Sequence, residues 1–198
     1  MNRSIFYDRV RGSLFNGRLT QSQVDGLEAL LNAMEGWPVA YQAYGMATAF
    51  HETSQTMKPI MERGGYAYYT RLYDVTGQNP ARARSMGNTT PGDGAKYCGR
   101  GYVQLTWKTN YERAGKDIGV DLVNFPELAM DPANAAKIMR DGMEQGWFTG
   151  KKLSDYLANG KKDYVGARRI INGTDKAQTI AGYAQKFETA LRAAGAGK

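Results

Sequence analysis

The chain has 198 residues with 26 Lys and Arg against 19 Asp and Glu, a net charge of +7 at pH 7. A single cysteine, Cys98, excludes an intrachain disulfide and a cysteine-rich metal centre, and a single histidine, His51, argues against a histidine-based one. No window approaches the roughly 18 apolar residues of a membrane span, and the polar, charged opening from Met1 to Asp8 does not read as a secretory leader, which predicts a monomer without stable membrane insertion.

Taken in chain order, Phe6, Val10 and Leu14 recur every four residues before Asn16-Gly17 and predict a short amphipathic helix with its stop. Thr20 with Gln23 forms a capping box, Leu19 and Val24 are placed as its staple, and Val24, Leu27, Leu31 and Met34 make the inward stripe of a second helix. Residues 1–36 therefore read as a helical hairpin packed on the core. Pro38 opens a third helix to about Thr53, with Ala40, Tyr44, Ala47 and His51 as a buried stripe. Tyr41, Gly45, Thr48 and Glu52 form a more polar stripe facing a cleft.

Tyr66, Tyr68, Tyr69 and Tyr73 then crowd one segment, as packing or as flat surfaces for sugar rings. Asn79-Pro80 starts a short helix ending near Gly87, and 88–94 is a polar loop. Alternation of Tyr102, Gln104 and Thr106 predicts a short extended piece with one polar face, so any sheet is small. A helix from about Lys108 to Ile118 ends at Gly119, and Asp131-Pro132 caps another to about Trp147. Ser154 caps a brief helix, a further one covers 163–170, and the last carries Ile180, Ala184, Phe187 and Leu191 on one face. The fold class is mainly α, with a catalytic domain over 37–192, a division into lobes by the segment from Tyr66 to Leu105, and a frayed tail over 193–198.

The chemistry centres on two glutamates ten residues apart, Glu52 at a helix end and Glu62 in Glu62-Arg63-Gly64-Gly65. Breaking a glycosidic bond needs one carboxylic acid to protonate the leaving oxygen and a second carboxylate to activate water or attack. Glu52 and Glu62 can fill those roles across a cleft. Other carboxylates, Asp74, Asp93 and Glu112, read as solvated or capping groups. No Gly-x-Ser-x-Gly elbow accompanies His51, and Gly99-Arg100-Gly101 lacks the lysine and hydroxyl of a phosphate loop. The positive charge favours an anionic polymer or surface such as a bacterial envelope, while scattered bases and the absence of a nucleic-acid motif speak against nucleic acid.

Three stretches in this order resemble glycoside hydrolase family 19, the chitinase family that also contains phage and prophage endolysins. They are Phe50-His51-Glu52-Thr53, Gly99-Arg100-Gly101-Tyr102-Val103-Gln104-Leu105-Thr106 followed by Asn110-Tyr111, and Arg168-Arg169-Ile170-Ile171-Asn172-Gly173, and the likeness spans roughly Pro38 to Leu191. The resemblance implies a lysozyme-like bilobal fold that cleaves β-1,4 links to N-acetylated amino sugars, with inversion in the chitinases and no metal or organic cofactor. It implies Glu52 as general acid, Glu62 as base and Thr106 as a holder of the attacking water. Gln104, Asn110 and Asn172 match substrate-lining positions, His51 sits beside the acid, and Tyr102 stands where plant members often have proline.

The chain departs from the plant pattern in a shorter loop between the glutamates, in the absence of the plant cysteines, and in the lack of an arginine around Gln178-Thr179-Ile180. Those departures and the basic charge favour an endolysin acting on peptidoglycan glycan strands over a chitinase or a non-catalytic envelope-binding protein. That reading expects synthesis in a host bacterial cytoplasm and release to the wall through a separate pore-forming protein.

Overall fold

The computed structural model describes residues 1–197; Lys198, the end of the expected tail, lies outside them. Ten α-helices, two 3-10 helices and one two-stranded antiparallel sheet make the described chain mainly helical. It divides into two compact units, one of Met1–Lys58 with the chain from Met139 onward, the other of Pro59–Ile138. The division thus falls at Pro59 and Ile138 and not at Tyr66 and Leu105, because the sheet and the segments packed on it extend the second unit both ways.

The first unit is built on α3 (Val39–Glu52) and α10 (Ala177–Ala193), with α1 (Arg3–Leu14) against α10 and α2 (Gln21–Ala33) against α3. Phe6, Val10 and Leu14 of α1 are buried, and Asn2 caps it by accepting from the Ile5 N–H. The capping box of α2 is present, with Thr20 accepting from Gln23 N–H and Gln23 Oε1 accepting from Thr20 N–H at 2.8 Å. A Cβ on Gly26 would stand 1.9 Å from the Met57 carbonyl oxygen, so only glycine allows α2 this close to the chain after α3.

Both predicted stripes of α3 are buried, including Tyr41, Gly45 and Thr48. The expected polar face is therefore absent along most of the helix. Phe50 is enclosed edge-on by Phe15, Tyr183 and Phe187, and Trp37 donates its indole N–H to Glu144 at 3.2 Å. Only the last turn emerges: His51, expected to be packed, is half-buried, as is Glu52. Ile180, Ala184, Phe187 and Leu191 of α10 are fully buried as predicted. The tail does not fray at Ala193, since Ala194 is buried, its carbonyl accepts from Asn2 N–H at 2.7 Å, and Ala196 N–H reaches Leu191 O at 3.0 Å. In α9 (Leu153–Leu157) the cap is Asp155, which accepts from Lys152 N–H, and not Ser154. The helix expected over 163–170 is a 3-10 helix, Gly166–Ile170, with Asp163 accepting from Gly166 N–H.

In the second unit β1 (Ile60–Met61) pairs with β2 (Arg100–Gly101), Ile60 opposite Gly101. The remaining elements are α4 (Tyr66–Tyr73), α5 (Pro80–Ser85), α6 (Asp93–Lys96), α7 (Lys108–Ile118), the 3-10 helix Pro126–Met130 and the start of α8 (Pro132–Gln145). Asn79 and Asp131 cap α5 and α8 as predicted. The extended piece predicted through Tyr102, Gln104 and Thr106 is instead a tight reversal, in which Arg100 and Leu105 exchange both backbone hydrogen bonds. Gly101 and Gln104 have φ of +87° and +53°, which a continuing strand cannot contain. Asp74, read as a solvated or capping group, is buried and accepts from the N–H groups of Thr76, Gly92 and Gly94, which ties the loop before α6 to the end of α4.

Candidate active site

Glu62 leaves β1 just where its backbone N–H still bonds to Gly99 O at 2.8 Å. That pairing turns its side chain back along the neighbouring strand. Its Oε2 accepts from the Gly99 N–H at 3.3 Å and its Oε1 from the Tyr73 hydroxyl at 2.7 Å. Tyr69 donates to the Glu62 carbonyl. Burial, then the Glu62 carboxylate, pushes the Tyr73 phenol up, so Tyr73 remains a protonated donor at neutral pH. A Cβ on Gly99 would lie 2.9 Å from Gln104 Oε1 and 3.3 Å from Glu62 Oε2, so the glycine makes room for both side chains.

The other predicted residues of this unit are linked to the same loop. Gln104 Nε2 donates to Ile60 O at 3.0 Å, Thr106 Oγ1 donates to Gln104 O at 2.8 Å, and Asn110 Nδ2 donates to Thr106 O at 2.8 Å. With its proton committed to Gln104 O, the Thr106 hydroxyl keeps lone pairs that can accept from water. Thr106 also lines a surface depression of about 430 Å³ with Tyr73, Arg82 and Trp107. Beneath it, Arg100 Nη1 donates to the Lys96 and Cys98 carbonyls and to the Tyr111 hydroxyl, which fixes the turn that carries Gly99. Tyr102 does not belong to this surface. It is fully buried, and burial pushes its phenol up, which corrects its expected place against substrate.

In the first unit Glu52 closes α3, and its Oε1 accepts from Arg168 Nη1 at 2.6 Å. The Arg168 side chain is only 3% exposed and that of Glu52 is 24% exposed. Arg168 Nε is committed to Asp175 O at 3.0 Å, so the guanidinium is held from both ends. Glu52 is thus met by a salt bridge to a buried cation. Asn172 is exposed, and its own N–H bonds to Arg168 O at 3.1 Å. His51 precedes Glu52 in the half-buried last turn of α3.

Two contacts were missed in the sequence. Arg168 was legible only as part of its motif, and nothing in the spacing joins residue 168 to residue 52. Tyr73 was one of four crowded tyrosines, and the signal that could have singled it out is its place one turn after Tyr69 on α4. Among the described residues, no group of three or more His, Cys, Asp or Glu side chains could hold a metal ion.

A mainly helical chain with a vestigial sheet and a clasped carboxylate beside a Gly-Arg-Gly turn has the make-up of a glycoside hydrolase of the lysozyme-like class. The family model described as chitinase class I matches residues 40–152. The chain belongs to glycoside hydrolase family 19. Endochitinase A2 of Pisum sativum is 39% identical over 140 residues, covering 62% of this chain and 41% of the pea protein. The chain thus spans about two fifths of that relative's length. A bacterial family 19 chitinase matches with a TM-score of 0.65 at 26% identity, over 95% of this chain and 93% of that one. Chitinase C of Streptomyces griseus shares the fold, with a TM-score of 0.61 at 23% identity over 97% of this chain and 75% of that one.

Proposed function

We propose that this protein hydrolyses β-1,4 bonds in a polymer of N-acetylated amino sugars, with Glu52 as general acid and Glu62 as general base. The observation that carries the reading is the clasp on Glu62. Tyr73 and the Gly99 N–H hold its carboxyl group and aim it, and Thr106, one residue beyond the same turn, supplies a hydroxyl for the attacking water. Glu62 takes a proton from that water as it attacks the anomeric carbon, and Glu52 gives a proton to the departing oxygen. Once that proton has left, Arg168 stabilises the carboxylate that remains. Gln104, Asn110 and Asn172 supply polar contacts to the sugars, and His51 lies beside the acid.

Chitin is the substrate that the relatives' names favour, since the matched plant proteins are named endochitinases. Peptidoglycan is the second reading, supported by the charge of +7. Release through a separate pore-forming protein belongs to that second reading alone. Incubation with chitin oligomers and with purified sacculi, followed by identification of the new reducing ends, separates the two. Glu52→Gln and Glu62→Gln are each expected to lower turnover by about 10²–10⁴ with the fold retained. Full activity in either variant would remove that residue from its role, and sacculus binding with no sugar released would make the protein a non-catalytic envelope binder.

A further inference from the structure

Between Thr149 and Lys176 the chain carries seven Lys and Arg side chains against three Asp. Two of the cations are neutralised by carboxylates from outside the segment, Arg168 by Glu52 and Lys162 by Glu188. Of the three acids, Asp155 and Asp163 accept from the backbone N–H groups of Lys152 and Gly166, and Asp175 is exposed. The surplus positive charge is therefore held by side chains in solvent. Among the described residues, Lys151, Lys152, Lys161, Arg169 and Lys176 are exposed and have no ion-pair partner, and three of them, Lys151, Arg169 and Lys176, lie at backbone contacts that lead to Arg168.

Backbone contacts bring these three residues near Arg168, the partner of Glu52. Arg169 follows Arg168 directly, and the Thr149 hydroxyl donates to its carbonyl at 2.6 Å. The Lys151 N–H approaches the same hydroxyl at 3.4 Å, which brings Lys151 beside Arg169. On the other side, Arg168 Nε donates to Asp175 O, and the next residue is Lys176. One guanidinium thus reaches Glu52 with one nitrogen and the chain just before Lys176 with another, and Arg169 is its neighbour in sequence.

We infer that Lys151, Arg169 and Lys176 form a cationic rim beside Glu52 that binds the carboxylates of an anionic amino-sugar strand, as in a peptidoglycan glycan. The inference rests on Glu52 being a substrate-contacting residue. An uncharged chitin strand gains nothing from three unpaired cations, whereas carboxylates on the strand are drawn to them before the sugars dock. Such attraction raises association by about 10–10³-fold and fades as salt screens it.

The test uses the full chain, its K151E/R169E/K176E variant and the charge-preserving K151R/K176R variant. For each, kcat/KM is measured on neutral N-acetylglucosamine oligomers and on purified sacculi at about 20 and 200 mM salt. The expected result is a ratio of sacculus to oligomer activity that falls about tenfold in the charge-reversed chain, loses its salt dependence there, and is retained in the charge-preserving one. A ratio within about twofold of the unaltered chain, or sacculus activity insensitive to salt from the start, would overturn the rim. Should the triple variant fail to fold by near-UV circular dichroism, the single variants Lys151→Glu and Lys176→Glu are read for the same salt slope. Co-sedimentation with sacculi needs no hydrolysis, so loss of binding in the charge-reversed chain supports the rim even where the hydrolase reading fails. Equal, salt-sensitive binding of the unaltered chain to duplex DNA or to phosphatidylglycerol vesicles would overturn it as a glycan site.

Discussion

Tyr73 donates one hydrogen bond to Glu62, and burial keeps that donor protonated. A neutral donor to a carboxylate contributes about 1.5–3 kcal/mol when the contact is shielded. Tyr73→Phe keeps the ring against Trp107 and removes only the hydroxyl, so kcat on chitin oligomers or sacculi is expected to fall about tenfold. The opposite side of the clasp is tested by Gly99→Ala. Its methyl would press on Gln104 Oε1 and Glu62 Oε2, and turnover is expected to fall by more than about tenfold while urea unfolding shifts only modestly. Equal activity in both variants would mean that Glu62 needs neither support. At this scale the candidate side chains were legible by type and order, and their partners were not. Glu52 could be named from its motif, but Arg168 comes from 116 positions away, and no local pattern encodes that pairing.

At the scale of elements, helices announced by caps and by apolar spacing formed where they were predicted. The Thr20–Gln23 box, the Asn79 cap and the Asp131 cap are interactions between residues two or three apart, decided before the chain meets the rest of the protein. Thr20→Ala is accordingly expected to cost about 1 kcal/mol, read as a melting temperature lower by about 2–4 °C. The apolar stripes of α1 and α10 were equally legible, since each has one face turned to solvent and one to the core. For α3 the same reasoning failed. Its second stripe holds Gly45 and Thr48, residues small enough to be packed over, and α2, α9 and α10 cover it. The reversal at residues 100–105 failed for a different reason: an alternating pattern describes a strand only while every φ stays extended, and positive φ at Gly101 and Gln104 ends that condition.

At the scale of the molecule, each unit contains a buried carboxylate whose partners hold it charged. For Glu188 in the first unit, burial opposes ionisation, but Lys162, Arg192 and Tyr164 outweigh it and hold the carboxyl below its usual range. For Asp74 in the second, burial likewise opposes ionisation, and the N–H groups of Gly94, Thr76 and Gly92 with the Thr76 hydroxyl outweigh it. Both native carboxyls bind a proton less readily than in the unfolded chain. The stability they contribute is therefore complete above the ordinary carboxylate range, about pH 4, and is lost as pH falls through the lower native values. Glu188→Gln is expected to cost about 1–2 kcal/mol in urea unfolding at neutral pH, a modest figure because Lys162 and Arg192 are half exposed. The difference from the unaltered chain should shrink as pH falls below the ordinary carboxylate range and through the lower native value, and a constant difference would show that Glu188 acts only by packing.

The sequence by itself determined the helical class, most of the caps and the inward faces of the amphipathic helices, and it singled out Glu52 and Glu62 as candidates, because each depends on residues within a turn or on an ordered motif. Only the tertiary structure decided that Tyr41, Gly45 and Thr48 of α3 are buried, that Tyr102 is core, and that Glu52 is met by Arg168 and Glu62 by Tyr73. Those outcomes depend on which distant surfaces come within about 3–4 Å of one another, a quantity that packing sets and that periodicity along the chain does not contain.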